Sequence, residues 1–211
     1  MPTQTRIVIF AKAPIPGEAK TRLIPAIGAE RAAMLHAALV ERALETASFT
    51  GHDVELCCTP DASHSFFQQC VEDFDCTLSE QRDGDLGVRM LAAMEDVLAD
   101  FDFVVIVGAD CPSVTPKHVK QAIAALVEHD VVLTPAEDGG YVLIAARRVG
   151  TSMFDGISWG SGSVLAQQRK ALKIAGLSFV ELETLWDVDR PEDLVRLQTL
   201  TPPLAFFLPP C

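Results

Sequence analysis

Three short polar clusters concentrate the residues able to handle phosphate, metal ions and hydroxyl groups. The first spans residues 11–23 and carries Lys12, Lys20 and Arg22 in a chain whose formal charge is −12. Gly17 lets the backbone approach a ligand closely, and Pro14 and Pro16 restrict the loop. Lys20 offers a point charge to a phosphate, and Arg22 a fork that grips two oxygens. Ala19 stands where a Walker A loop needs glycine, so this is not that motif. A solvated surface loop has the same composition. The second cluster is Asp110, directly after the apolar run 103–107. A carboxylate at a rigid strand end suits Mg²⁺ or Mn²⁺, hard cations that prefer oxygen; a turn-capping aspartate occurs at the same place. The third is Glu137 and Asp138 before Gly139 and Gly140. Asp138 is read as a second metal contact or a group that orients a sugar hydroxyl. A hairpin turn favours the same residues.

Three further clusters are less specific. Arg89 lies one turn into a helix that Asp85 caps, and is taken as a phosphate contact. Asp187 and Asp189 alternate on one face of an extended segment before a helix. Asp189 joins Asp110 and Asp138 as a catalytic candidate. Trp159, beside Gly160 and Gly162, is placed with Gly139 and Gly140 against an acceptor or sugar. A helix cap at Ser161 or Ser163 accounts for that loop equally well.

The elements that must hold these groups follow from patterning. Short apolar runs predict strands at 7–10, 54–58, 103–107, 131–134, 141–145 and 179–182. Helices are predicted at 29–47, 63–73, 85–98, 163–175 and 191–200. Another begins at Pro116, with Thr115 as its cap, and runs to 128. Alternating strand and helix predict an α/β domain with a mostly parallel central sheet flanked by helices. In such sheets ligands sit beyond the carboxyl ends of the strands, where all three main clusters fall. No repeat or linker divides the chain, so one domain is expected over 1–211, with a proline-rich tail at 201–211.

Composition narrows the function. An apolar content of 49% and a charged content of 22% are those of a globular protein. The acidic balance argues against a nucleic-acid surface. It also opposes an anionic substrate, so local cations or a metal must supply the attraction. No apolar run is long enough to span a membrane. The polar start lacks the pattern of a signal peptide, and a cytoplasmic location is expected. Six cysteines show no zinc or redox spacing. Cys57 and Cys58 read as small buried residues pointing to opposite faces of a strand.

Taken in order, five segments resemble a bacterial family of small proteins with the glycosyltransferase-A fold. They are FAKAPIPGEAKTRL (10–23), GDLGVRM (84–90), GADCP (108–112), PAEDGGY (135–141) and DVDRPEDL (187–194). Members of that family are described as glycosyltransferases or nucleotide-diphospho-sugar transferases, some in connection with arsenosugar biosynthesis. The resemblance implies a Rossmann-like nucleotide-diphospho-sugar transferase domain. Its first-strand loop would lie against nucleotide phosphates, and Asp110 would stand at the superfamily's metal aspartate. Ala109 and Arg190 depart from the small hydroxyl residues expected there, which bears on acceptor contacts.

The resulting expectation is a metal-dependent transferase that moves a glycosyl group from a nucleotide-sugar to a small acceptor. One alternative is nucleotidyl transfer from a nucleoside triphosphate to a phosphate or sugar phosphate, with pyrophosphate released. Another is a non-catalytic nucleotide-binding protein. All depend on one convergence: Lys12, Lys20 and Arg22 must meet Asp110 in a shared pocket. Oligomeric state is not expressed in these patterns.

Overall fold

The computed structural model of the chain describes residues 3–204. The stretch 205–211 of the proline-rich tail, including Cys211, lies outside the described residues. Seven strands form one sheet: β1 (Thr5–Lys12), β2 (Asp53–Thr59), β3 (Thr77–Glu80), β4 (Phe103–Gly108), β5 (Val131–Pro135), β6 (Tyr141–Ala146) and β7 (Phe179–Glu181). Their order is β3-β2-β1-β4-β6-β5-β7. All pairings are parallel except those of β6, which runs antiparallel to both β4 and β5. The mostly parallel α/β architecture is therefore as the alternation of elements predicts, with one reversed strand supplied by the Gly139-Gly140 turn.

Period-two alternation divides the core. Ile7, Ile9, Leu56, Cys58, Val105 and Val107 face one side of the sheet. Val8, Cys57, Val104, Ile106, Ile144 and Ala146 face the other. Cys57 and Cys58 thus enter opposite layers, both buried, and every described cysteine is a free thiol. Three helices cover the first face: α2 (Ala29–Ser48), α3 (Ser65–Phe74) and α5 (Pro116–Ala125). The second face takes α4 (Leu86–Leu98) and α6 (Val164–Ile174). Burial on both faces explains why β1 and β4 are nearly continuous apolar runs. The caps also follow the sequence: Asp85 accepts from Val88 N–H at 2.9 Å. Thr115 caps α5 in a reciprocal box with His118.

Four elements depart from the expectation. β3 was not predicted; Thr77–Glu80 is a partly exposed edge strand with a single neighbour, so it has no need of an apolar pattern. The basic loop contains a 3₁₀ turn, Thr21–Leu23, and one turn of helix, α1 (Ile24–Ile27). The closing segment Pro191–Thr199 is 3₁₀ rather than α-helical. Its buried Leu194 and Leu197 are three residues apart, a spacing that aligns side chains at three residues per turn. They join Leu23, Leu35, Leu39 and Val188 in a third apolar cluster, which seats the basic loop against α2. Among the described residues no helix is long and apolar enough to cross a membrane.

Candidate active site

The chain reverses its winding direction between β1 and β4, which are paired in parallel. That is the topological switch point, where a crevice opens beyond the strand ends. Lys12 ends β1 and Asp110 follows β4, so the loops leaving these neighbouring strands form opposite lips.

Lys20 crosses the gap. Its Nζ is 2.7 Å from Asp110 Oδ1 and donates to the Val188 carbonyl at 2.6 Å, and its side chain is 5% exposed. Val188 N–H in turn donates to the Asp110 carbonyl at 2.9 Å. The Val188 side chain is fully buried, which turns Asp187 and Asp189 out toward the cleft. Arg22 pairs directly with Asp189. Lys12 is half-exposed, with its Nζ 3.3 Å from the Glu18 carbonyl.

Three hollows meet around this cluster. One is lined by Lys12, Lys20, Arg22, His36, Asp110 and Asp189. A second shares Lys12, His36 and Asp110, and extends over Phe10, Gln81 and Tyr141. The third is bounded by Arg22, Asp138, Asp187, Asp189, Ser161 and Arg190. Asp110, Asp138 and Asp187 all line the second hollow. Asp138 Oδ1 accepts from Gly140 N–H at 2.9 Å, which closes the turn, and the same residue lines the second and third hollows.

The electrostatics follow from this packing. Desolvation pushes the Asp110 carboxyl up, but the Lys20 ammonium beside it outweighs this and holds the group below the usual carboxylate range. Burial, then the charges of Asp138 and Asp110, push Asp187 up to about 6. A carboxylate crowded by two others is a place where a cation would relieve repulsion. Among the described residues, no three His, Cys, Asp or Glu side chains stand together as a ready metal cage. Mg²⁺ is commonly held by one or two carboxylates together with substrate phosphates. Asp110 and Asp187 fit that pattern.

The structure brings together Lys12, Lys20, Arg22, Asp110, Asp138, Asp189 and Gly140. It does not bring Arg89. That guanidinium donates to the Gly84 carbonyl at 2.9 Å and to Gln81 Oε1 at 3.4 Å, and lines a separate hollow beside Glu55 and Asp96. Gly17 shapes the loop with a φ of 87° and lines none of the three hollows. Trp159 is no open platform: it packs edge-on to Tyr141 and against Phe154 in the second core layer. Gly139 lies behind the site, where the carbonyl of Gly162 crosses it closely. Glu137 accepts from both terminal nitrogens of the Arg196 guanidinium.

Two site residues were not singled out from the sequence. Asp187 shares its face with Asp189, and nothing in their alternation says which enters the carboxylate cluster. His36 is a polar residue inside the apolar stripe of α2, between Leu35 and Leu39. That interruption was its only signal.

Comparison with known proteins agrees with this architecture. Residues 40–161 match the family described as uncharacterized protein conserved in bacteria, DUF2064. The structure is similar to that of a proposed nucleotide-diphospho-sugar transferase from Desulfovibrio desulfuricans G20. The two share 31% identity and a TM-score of 0.84, over 93% of this chain and 87% of that one. It is similar in fold to the 4-diphosphocytidyl-2C-methyl-D-erythritol synthase of Anaerococcus prevotii DSM 20548. There the identity is 12% and the TM-score 0.61, over 92% and 95% of the two chains. A CMP:2-keto-3-deoxy-manno-octonic acid synthetase complexed with CTP shares the fold at 17% identity and a TM-score of 0.58, over 95% and 99%. A search of the curated proteins finds no match. Strand order and switch-point cleft define an α/β protein of the nucleotide-diphospho-sugar transferase fold. Within that class, the chain belongs to the bacterial family DUF2064.

Proposed function

We propose that the protein is a nucleotide-dependent transferase that passes a glycosyl group from a nucleotide-sugar to a small uncharged acceptor. The observation that carries this reading is the meeting of Lys20, Asp110 and Asp187 at the switch point. Lys12, Lys20 and Arg22 form the wall that would receive the diphosphate. Asp110 and Asp187 are the residues that would hold Mg²⁺ or Mn²⁺, which supplies charge neutralisation for the leaving diphosphate. The bond from the anomeric carbon to the diphosphate oxygen breaks as the bond to the acceptor oxygen forms. Asp138, which accepts from Gly140 N–H and lines two of the hollows, would take the acceptor's hydroxyl proton.

The third hollow bears on the choice of reaction. It carries six carboxylates, Glu137, Asp138, Asp187, Asp189, Glu192 and Asp193, against the guanidinium groups of Arg22 and Arg190 that line it and of Arg196, which pairs with Glu137. A phosphate acceptor would enter against that field; a polyhydroxylated one would not. This supports glycosyl transfer over nucleotidyl transfer to a phosphate, although the fold is shared with a 4-diphosphocytidyl-2C-methyl-D-erythritol synthase and a CMP:2-keto-3-deoxy-manno-octonic acid synthetase.

The test is a thermal-shift panel of nucleotide-sugars and nucleoside triphosphates with and without Mn²⁺, followed by product analysis. A bound ligand at a hundred times its Kd stabilises by about 2.7 kcal/mol. Release of nucleoside diphosphate supports the proposal, and release of pyrophosphate replaces it with nucleotidyl transfer. A flat panel under both conditions removes the nucleotide premise.

A further inference from the structure

His36 takes no part in the chemistry above, yet it is the only polar side chain among the buried residues of α2. Its side chain is 7% exposed and borders both hollows that meet at Asp110. The two ring nitrogens are in different situations. Nε2 lies 2.8 Å from the Lys12 carbonyl. A carbonyl can only accept, so Nε2 carries the hydrogen and the neutral ring leaves Nδ1 bare. That Nδ1 is buried, has no hydrogen-bond partner, and lies 3.9 Å from Asp110 Oδ1.

Two facing acceptors cannot bond to each other. At this separation, one donor with two hydrogens can serve both. Lys20 already holds Asp110 Oδ1 from its own position but makes no bond to His36. A buried acceptor left unmade costs about 1–3 kcal/mol, and a ring that merely filled space in this stripe could be leucine, like its neighbours Leu35 and Leu39. The bare nitrogen is therefore directed at something that arrives on Asp110.

We propose that His36 is a positioning residue for the cation site: its Nδ1 accepts a hydrogen bond from the hydration shell of a divalent cation held by Asp110. The Nε2 bond to Lys12 sets the tautomer and ring angle. A partner of this kind fixes the orientation of a ligating carboxylate's cation, and its loss typically weakens metal binding 10- to 100-fold. The inference rests on the cation assignment made for Asp110 and Asp187, and its test uses Mn²⁺ alone.

The decisive variant is His36→Gln, whose amide N–H can still reach the Lys12 carbonyl while no acceptor atom remains at the position of Nδ1. Free Mn²⁺ is followed by electron paramagnetic resonance during titration with each protein. The expected result is a wild-type melting temperature to within a few degrees, with Mn²⁺ affinity lowered about 10-fold or more. His36→Asn keeps an acceptor near Nδ1 and loses the Lys12 bond, so it should lose stability and retain most of the affinity. If His36→Gln does not fold, His36→Asn decides: affinity near wild type supports the role, and a tenfold loss overturns it. Unchanged Mn²⁺ binding in His36→Gln overturns it, as does a wild-type protein that binds no Mn²⁺. Nucleotide shifts measured with and without Mn²⁺ judge the transferase reading separately. A shift there without Mn²⁺ binding sinks only the role of His36; weakened Mn²⁺ binding in His36→Gln without any nucleotide shift sinks only the transferase.

Discussion

Lys20 Nζ stands 2.7 Å from Asp110 Oδ1 and 2.6 Å from the Val188 carbonyl. One nearly buried ammonium thereby ties together the loop after β1, the loop after β4 and the segment that carries Asp187 and Asp189. The loop conformation required for this is unusual, since Lys20 itself has a φ of 49°. Backbone strain of this kind persists where the surroundings over-determine it.

Lys20→Met keeps an unbranched side chain one atom shorter and removes the charge. It leaves Asp110 without its closest cation and the Val188 carbonyl without a donor. Thermal denaturation should show a loss of about 2 kcal/mol. Any nucleotide-induced shift seen with the wild type should disappear.

Asp187→Asn should separate stability from binding. Because the folded-state pKa of Asp187 is raised to about 6, ionisation of this group opposes folding at neutral pH. The substitution is expected to raise the melting temperature at pH 7.5 while weakening Mn²⁺ binding in a titration. The gain in stability should shrink on acidification through pH 6. It should vanish below about pH 4, where the carboxyl is protonated in both states. A variant that melts lower at pH 7.5 contradicts the crowding of these carboxylates.

Asp130 provides a contrast remote from the cleft. It accepts from Ser178 N–H and Oγ–H, each at 2.9 Å, and faces Arg147 and Arg148. Burial pushes its carboxyl up, but the Ser178 hydrogen bonds and the arginines outweigh this and hold it below the usual range. Its contribution is present above the unfolded pKa, about 3.9, and is lost as pH falls through the folded value. Asp130→Asn should cost about 2 kcal/mol at pH 7. Denaturant titrations should find that difference narrowing in acid.

Gly139→Ala tests the turn behind the site. Gly139 has a φ of 90°, and an added Cβ would collide with the carbonyl of Gly162. Moving either backbone also disturbs the Leu165 N–H bond to the Gly139 carbonyl, which anchors the start of α6. The strain alone is worth about 1–3 kcal/mol. Limited proteolysis should cut faster within residues 156–163.

Much of this molecule is written locally. The apolar runs of β1 and β4 are legible because both faces of each strand are covered. Asp85 and Thr115 declare helix starts because their side chains bond within one turn of themselves. Asp110 and the basic loop are legible as strand-end polar clusters for the same reason. β3 was not, because an edge strand that stays partly exposed needs no pattern.

Other choices depend on groups distant in sequence. Arg89 looked like a phosphate contact until α4 turned it toward Gly84 and Gln81. Trp159, which its glycine-rich loop sets against an acceptor, packs instead on Tyr141 and Phe154. Asp187 and Asp189 are equivalent by alternation; only the seat of Val188 against the Asp110 loop assigns one to the carboxylate cluster and the other to Arg22. By itself the sequence determined the strand ends, the helix caps and the reserve of cations near residues 12–22. The tertiary structure decided which charges meet, because Coulomb and hydrogen-bond energies depend on distances set by the strand order, and no local pattern encodes that order.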